Sequence, residues 1–315
     1  MWEPNSREIH PDVIIPAYRP GSDLRTLVER LKKQTLSPGR MIVMLTVDEK
    51  SRVSDVPDGC EVYTVDRREF DHAASRNEAI SHSDSPVFVM MTQDAVPADR
   101  HLIENLIKGI TEDGASAAYG RQLARKSSSY VEKLTRGFNY PEEPRIKTAD
   151  DIKTAGIKAF FCSNACAAYD RQVFDSLGGF SAPAIFNEDM VYARALLDHG
   201  LSISYRPDAR VFHSHDHSLI KLFRRNFDLA VSQKMHPEVF GDISSEGEGV
   251  RYVKNVVSML FKAGRWYLAF GFIAGCAARY AGFKLGSHYD VLPRRAVYRF
   301  TDNPYFWKRM DHAGQ

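Results

Sequence analysis

Cysteine is scarce in this 315-residue chain, and the four present (Cys60, Cys162, Cys166, Cys276) are scattered. Cys162 and Cys166 have no second Cys/His pair at zinc spacing, so neither a zinc knuckle nor a disulfide framework is expected; buried, reduced thiols in a cytosolic setting fit better. Long apolar runs are missing as well. None reaches the roughly 18–20 residues that span a bilayer; the nearest, Trp266 to Ala278, is short and meets Arg279. Met1 to His10 is polar, so no secretory leader is expected. The chain also lacks repeats, low-complexity tracts, GxxxxGK[ST], GxGxxG and GxSxG, which removes P-loop, dinucleotide and α/β-hydrolase readings. No acidic pair has the spacing of a two-metal nuclease.

Charge is present but unevenly placed. The net charge is +2, yet Arg251 to Gln315 holds 11 Lys and Arg against 3 Asp and Glu. The first 250 residues are net acidic. Trp266, Tyr267, Phe270, Phe272 and Phe283 interleave with the basic residues, a pattern that fits an anionic lipid surface better than nucleic acid. A basic solvated helix packed on its own domain is the alternative.

The first 218 residues alternate between strand and helix signals. Val13 to Ala17, Met41 to Val47, Glu61 to Val65 and Val87 to Met91 read as strands, Leu24 to Leu31 and Ala73 to Ser81 as helices. Leu102 to Ile110 is a further helix, and Ala115 to Tyr119 and Phe160 to Tyr169 further strands. Leu201 to Tyr205 and Ala209 to Phe212 are two more short strands. Such alternation predicts a parallel, doubly wound α/β sheet. Residues 124–158 look like a long acceptor-side insertion with partial helix. Residues 219–315 turn helical and basic, giving a division into 1–218 and 219–315.

Three features carry chemistry. The apolar strand at Val87 ends in Thr92-Gln93-Asp94, and Met41 to Val47 ends in Asp48; ligands of open α/β sheets sit outside such strand ends. Asn187-Glu188-Asp189 opens a helix, where the macrodipole alone would also favour acids. His213, His215 and His217 alternate, and i and i+2 on an extended chain point the same way. One carboxylate plus imidazole suits Mn²⁺ as well as Mg²⁺.

Val13-Ile14-Ile15-Pro16-Ala17-Tyr18 resembles the opening strand of family 2 glycosyltransferases with the GT-A fold. Thr92-Gln93-Asp94 is similar to that family's DxD position, with Thr92 where the first acid is usual, and Asn187-Glu188-Asp189 to its ED motif. Phe70 to Asn77, Tyr119 to Gln122, Phe138 to Pro141 and Phe160 to Asn164 resemble bacterial rhamnosyltransferases of polysaccharide assembly. The resemblance implies a Rossmann-like, doubly wound mixed sheet with a helical C-terminal extension. It implies inverting transfer from dTDP-β-L-rhamnose to a glycan or lipid-linked glycan acceptor, at the inner leaflet of the cell membrane.

It also distributes roles. Pro16, Ala17, Tyr18 and Asp48 would bound the base and ribose, with Arg76 and Gln93 near the nucleotide. Asp94 would hold Mg²⁺ or Mn²⁺ together with His213 or His215. Asp189 would be the general base, with Glu188 orienting it. A same-fold enzyme using a UDP-hexose and a non-catalytic glycan- or lipid-binding module are the competing readings, and a homo-oligomer stays open.

Overall fold

A computed structural model of the chain describes residues 9–241, 243 and 246–313. Its strands are β1 (Asp12–Tyr18), β2 (Met41–Val47), β3 (Glu61–Asp66), β4 (Val87–Met91), β5 (Val96–Pro97), β6 (Ala117–Leu123), β7 (Arg145–Lys147), β8 (Cys166–Asp170) and β9 (Ile203–Phe212). Among the described residues these form one sheet in the order β3-β2-β1-β4-β8-β6-β9-β5, with β7 paired to β9 off that path.

The apolar runs are continuous because the strands are covered on both faces. Alternate residues divide between two cores. Val13, Ile15, Val43, Leu45, Val89 and Met91 pack with the helices Ser22–Leu31 and Leu102–Thr111. Ile14, Ile42, Met44, Phe88 and Met90 face the other way, toward Ala79, Phe174, Phe180, Tyr192 and Leu196.

Pairing directions decide where the chemistry goes. β1, β2, β3 and β4 are mutually parallel, as expected. The sheet is not parallel throughout, because β8 runs antiparallel to both β4 and β6. β6 therefore runs the same way as β4, and β9 is parallel to β6. One rim thus gathers the carboxyl ends of β1, β2, β4, β6 and β9 and the loop that enters β8.

Three expected elements differ in detail. Strand pairing begins only at Cys166, since Phe160 to Ala165 turns along that rim, with Cys166 N–H bonded to the Ser163 carbonyl at 3.0 Å. The two short strands near 201–212 are one, interrupted by a register shift opposite Gly120 and Arg121. Gly120 is required there, because a β-carbon would press against the Ala209 carbonyl. Residues 124–158 are more ordered than an insertion need be: they hold the helix Tyr130–Asn139, capped by Ser129, and β7.

Beyond the sheet come the helices Leu219–Met235, Glu246–Lys262, Leu268–Gly286, Arg294–Phe300 and Pro304–Ala313. The first and third cross closely, because Gly282 and Gly286 lie against the backbone carbonyls of Phe223 and Phe227. Phe227, Val231, Val297, Phe306 and Trp307 form a separate core that ties the last helices back to Ile185. No helix among the described residues is long and apolar enough to cross a membrane.

Candidate active site

Asp94 follows the end of β4, and His213 and His215 follow the end of β9, so the sheet order brings them together. His213 Nε2 lies 3.5 Å and His215 Nε2 3.1 Å from the Asp94 carboxylate. The two imidazole nitrogens are 3.0 Å apart. One donor atom from each of the three residues falls within 4.8 Å of the others. His217 stacks on His215, with ring centroids 4.9 Å apart, and is not part of that cluster.

Gln122, at the end of β6, sets the chemistry of His213. Its carboxamide oxygen accepts from Arg136, and its Nε2 donates to Ser163 Oγ at 3.0 Å, so the amide has one orientation. The same oxygen therefore accepts His213 Nδ1–H at 2.7 Å, which leaves a lone pair on Nε2 facing Asp94 and His215. Burial pushes His213 down to about 3, keeping the imidazole neutral. Burial works to raise the Asp94 carboxyl, but the His215 hydrogen bond and its other neighbours together outweigh it and hold the group well below the usual carboxylate range. A carboxylate, two imidazoles and an outer amide that fixes the tautomer of one of them fit a divalent cation.

A cleft of about 480 Å³ opens beside this cluster, lined by Pro16, Ala17, Tyr18, Gln93 and Asp94 on the sheet side. Gln93 clamps the ends of β1 and β4 together: it accepts the Tyr18 N–H at 3.1 Å and donates to the Tyr18 carbonyl at 3.0 Å. Asp48 lies in an adjoining recess. Its carboxylate accepts from the Tyr18 hydroxyl at 2.7 Å and from Arg19 at 2.7 Å, and Arg67 stands 3.5 Å away. The Arg19 hydrogen bond, above all, holds Asp48 below the ordinary carboxylate range. Arg67 sits between the rings of Tyr18 and Tyr305, 5.0 and 5.6 Å from their centroids. Asp302, Asn303, Pro304 and Tyr305 wall the far side of the cleft, so part of the helical region beyond residue 218 belongs to this site.

Glu188 and Asp189 open the helix Glu188–Asp198. The preceding Asn187 holds the left-handed backbone, φ 62°, a conformation that asparagine tolerates, and its buried amide nitrogen has no hydrogen-bond partner among the described residues. Asp189 accepts the backbone N–H of Asn164 at 3.0 Å and that of Met190 at 2.8 Å. Glu188 is buried, accepts from Asn164 Nδ2 at 3.1 Å and lies 3.1 Å from Arg76 Nε. Burial and the adjacent Glu188 charge push the Asp189 carboxyl up. Glu188 moves the other way, because burial is outweighed by Arg76 and its other neighbours. Two adjacent carboxylates are thereby driven apart, one toward a proton acceptor near neutral pH and one toward a fixed anion.

Arg76 thus stands behind Glu188 and is not among the residues lining the cleft. Its segment anchors the whole loop before the helix. Asp71 accepts the Ala184 N–H at 2.9 Å, and Asn77 exchanges two hydrogen bonds with the backbone of Phe180, at 2.8 and 3.0 Å. The Asp94 cluster and Asp189 are joined through the loop entering β8: Ser163 bonds to Gln122, Asn164 to both acids, and Ala165 accepts the Thr92 N–H at 3.4 Å. Gln122 and Asn164 fall within the segments Tyr119 to Gln122 and Phe160 to Asn164, but their positions one step from a histidine and from an acid pair appear in no local sequence pattern. Thr92, where a second acid is usual, has a buried hydroxyl with no hydrogen-bond partner of standard geometry among the described residues.

A doubly wound mixed sheet with a carboxylate–imidazole cluster at the end of its central strand, and a separate carboxylate pair across the same rim, defines a GT-A glycosyltransferase. Residues 12–178 match the family described as Glycosyl transferase family 2, and the chain belongs to it. It is 32% identical over 308 residues to the O-antigen chain rhamnosyltransferase RfbN of Salmonella typhimurium, across 96% of this chain and 97% of that one. It is 31% identical over 309 residues to the O-antigen chain rhamnosyltransferase WbaN of Salmonella anatum, across 96% of each. Among solved structures it resembles the mannosyltransferase PcManGT from Pyrobaculum calidifontis in complex with GDP-Man and Mn²⁺, with TM-score 0.54, 16% identity, and 93% of this chain and 79% of that chain covered. It also resembles TarS from S. aureus in complex with UDP, with TM-score 0.51, 11% identity, and 88% and 91% covered. The expected fold and the expected glycosyltransferase activity both stand.

Proposed function

We propose that this glycosyltransferase moves L-rhamnose from dTDP-β-L-rhamnose, with inversion, to a hydroxyl of a lipid-linked glycan in cell-surface polysaccharide assembly. The observation that carries the proposal is the pairing of two sites on one rim. Asp94 with His213 and His215 borders the cleft, and Asp189 is tied to the same loop by Asn164. Support for rhamnose comes from the two relatives, RfbN and WbaN, each matched along nearly its whole length.

The acceptor hydroxyl would donate its proton to Asp189 as its oxygen attacks the anomeric carbon from the face opposite the diphosphate. The anomeric C–O bond breaks through an oxocarbenium-like state, as in glycoside hydrolysis, and its electron pair stays on the phosphate. One displacement converts a β-linked donor into an α-rhamnoside. When held by Asp94, His213 and His215, Mn²⁺ or Mg²⁺ would offset the charge gathering on that diphosphate; the two imidazoles favour Mn²⁺. Pro16, Ala17 and Tyr18 would flank the base and ribose, with Asp48 and Gln93 fixing the Tyr18 backbone and ring. Glu188, pinned by Arg76 and Asn164, would keep Asp189 oriented and its proton affinity high.

The acceptor side would face a membrane. Phe261, Trp266, Tyr267, Phe270 and Ile273 are all exposed around the turn between the helices Glu246–Lys262 and Leu268–Gly286, beside Lys262 and Arg265. Aromatic residues flanked by cations suit an anionic lipid interface, and would hold the chain peripherally on the cytoplasmic leaflet.

The test is nucleotide release from a donor panel with acceptor recovered from membranes of cells lacking this chain. The expected result is acceptor-dependent release of dTDP from dTDP-rhamnose. Turnover of a UDP- or GDP-sugar with none of dTDP-rhamnose would replace the donor. No turnover of any donor, with binding of glycan alone, would replace the activity.

A further inference from the structure

We propose that Arg225 is the anion-binding residue of the cleft, receiving the diphosphate of the donor from the helical side while the Asp94 cluster faces it from the sheet side. The inference rests on the donor-cleft reading above and adds to it a residue outside the matched family region and outside every motif of the sequence.

Arg225 lies on the helix Leu219–Met235 and lines the same cleft as Asp94 and Tyr18. Its guanidinium stands over the Phe186 ring, 5.1 Å from the centroid, and makes no hydrogen bond or ion pair among the described residues. Burial lowers its proton affinity, so the protein holds a cation in a place that disfavours charge.

Its acidic neighbours are all engaged elsewhere. Asp228 accepts from the Thr301 hydroxyl at 2.6 Å and from the Asp302 N–H at 2.9 Å. Burial pushes Asp228 up to about 7, which thins its negative charge further. Asp302 pairs with Lys221 at 2.9 Å, and Asp94 is turned toward the two histidines. The remaining cation of the cleft, Arg67, is stacked between two tyrosines beside Asp48.

A half-buried cation without a partner destabilises the empty fold. It is useful only if an anion arrives. A guanidinium presents parallel N–H donors that match the oxygens of a phosphate, and it stays charged when partly desolvated. Arg225 would therefore bind the diphosphate in the ground state and offset the negative charge that grows on the phosphate oxygen as the sugar departs.

The experiment uses the full chain and compares wild type, Arg225→Gln and Arg225→Lys. Binding of dTDP, UDP, GDP and thymidine is measured by calorimetry and ligand-observed NMR, in EDTA and again with Mn²⁺; melting is measured without ligand. Arg225→Gln should lose about 10- to 100-fold in dTDP affinity, the worth of a charge-assisted hydrogen bond. Thymidine binding should not change, Arg225→Lys should recover part of the loss, and the ligand-free melting temperature should hold or rise. Equal dTDP affinity in wild type and Arg225→Gln would overturn the inference and leave the donor reading intact. A variant that melts lower and loses thymidine and dTDP alike would show Arg225 to be a packing residue, which also overturns it. If wild type binds none of the three nucleoside diphosphates, the donor reading falls and this inference with it.

Discussion

Replacing Asp189 with asparagine would remove the proposed proton acceptor while leaving its surroundings nearly unchanged. In the folded chain its two oxygens accept the Asn164 N–H at 3.0 Å and the Met190 N–H at 2.8 Å. Asparagine offers one carbonyl oxygen, so one of those donors meets an NH₂ group and loses its acceptor, which costs about 1–3 kcal/mol. Against that loss, the variant no longer holds a second buried carboxylate beside Glu188. The two changes oppose each other, and melting at pH 7 should stay within about 5 °C of wild type. Catalysis has no such compensation. General-base assistance is typically worth ~10²–10⁴ in rate, or about 3–5 kcal/mol at 1.36 kcal/mol per decade.

The pH dependence supplies a second readout of the same substitution. Burial and the Glu188 charge raise Asp189, so protonation removes the base already at mildly acidic pH. Wild-type kcat/KM should climb with pH through an apparent pKa above the ordinary carboxylate range, and Asp189→Asn should lose that limb. The assay is initial-rate nucleotide release at saturating donor from pH 5 to 9. A variant that keeps more than about a tenth of wild-type kcat, or retains the acidic limb unchanged, would place the base elsewhere.

Gln122→Met should weaken Mn²⁺ binding to the ligand-free chain by about 10- to 100-fold, since His213 loses the acceptor that fixes its tautomer; calorimetry that shows equal affinity would contradict the site. Gly282→Ala places a β-carbon against the Phe223 carbonyl and should destabilise by about 1–3 kcal/mol in denaturant unfolding; an unchanged midpoint would mean the helices cross differently. Asp228 is raised to about 7 in the fold against about 3.9 unfolded, so the folded state binds the extra proton and stability should fall as pH rises between those values; Asp228→Asn should flatten that slope, and a wild-type chain that gains stability across the window would refute the assignment. Trp266→Glu with Phe270→Glu should abolish flotation with anionic vesicles while leaving donor hydrolysis unchanged; undiminished flotation would remove this turn from the membrane contact.

Much of the site was legible because it sits at strand ends. Asp48 and Asp94 terminate apolar runs, and the histidines follow the last such run, so a doubly wound sheet was bound to carry them to one rim. The pairing of that rim with Glu188-Asp189 depended on β8 running antiparallel, which no alternation pattern reveals. Arg76 shows a different limit. It falls in a motif beside the nucleotide strands, yet its helix points it at Glu188, because Asp71 and Asn77 bind the loop that carries the acid pair. Arg225 and Tyr305 were invisible for a third reason. They reach the cleft through helix packing at Phe227, Phe306 and Trp307, and such contacts join residues about 80 apart without a shared spacing.

The crossing of the chain's far segment over the cleft has a consequence for how the cleft is assembled. Tyr18 and Tyr305 are 287 residues apart in sequence, yet the two close on Arg67 from either side. The sheet rim supplies one side of the cleft and Asp302, Asn303, Pro304 and Tyr305 the other, so neither part of the chain forms it alone. A chain in which the segment from Asp302 to Tyr305 is undocked would keep its sheet rim and lose one wall of the cleft.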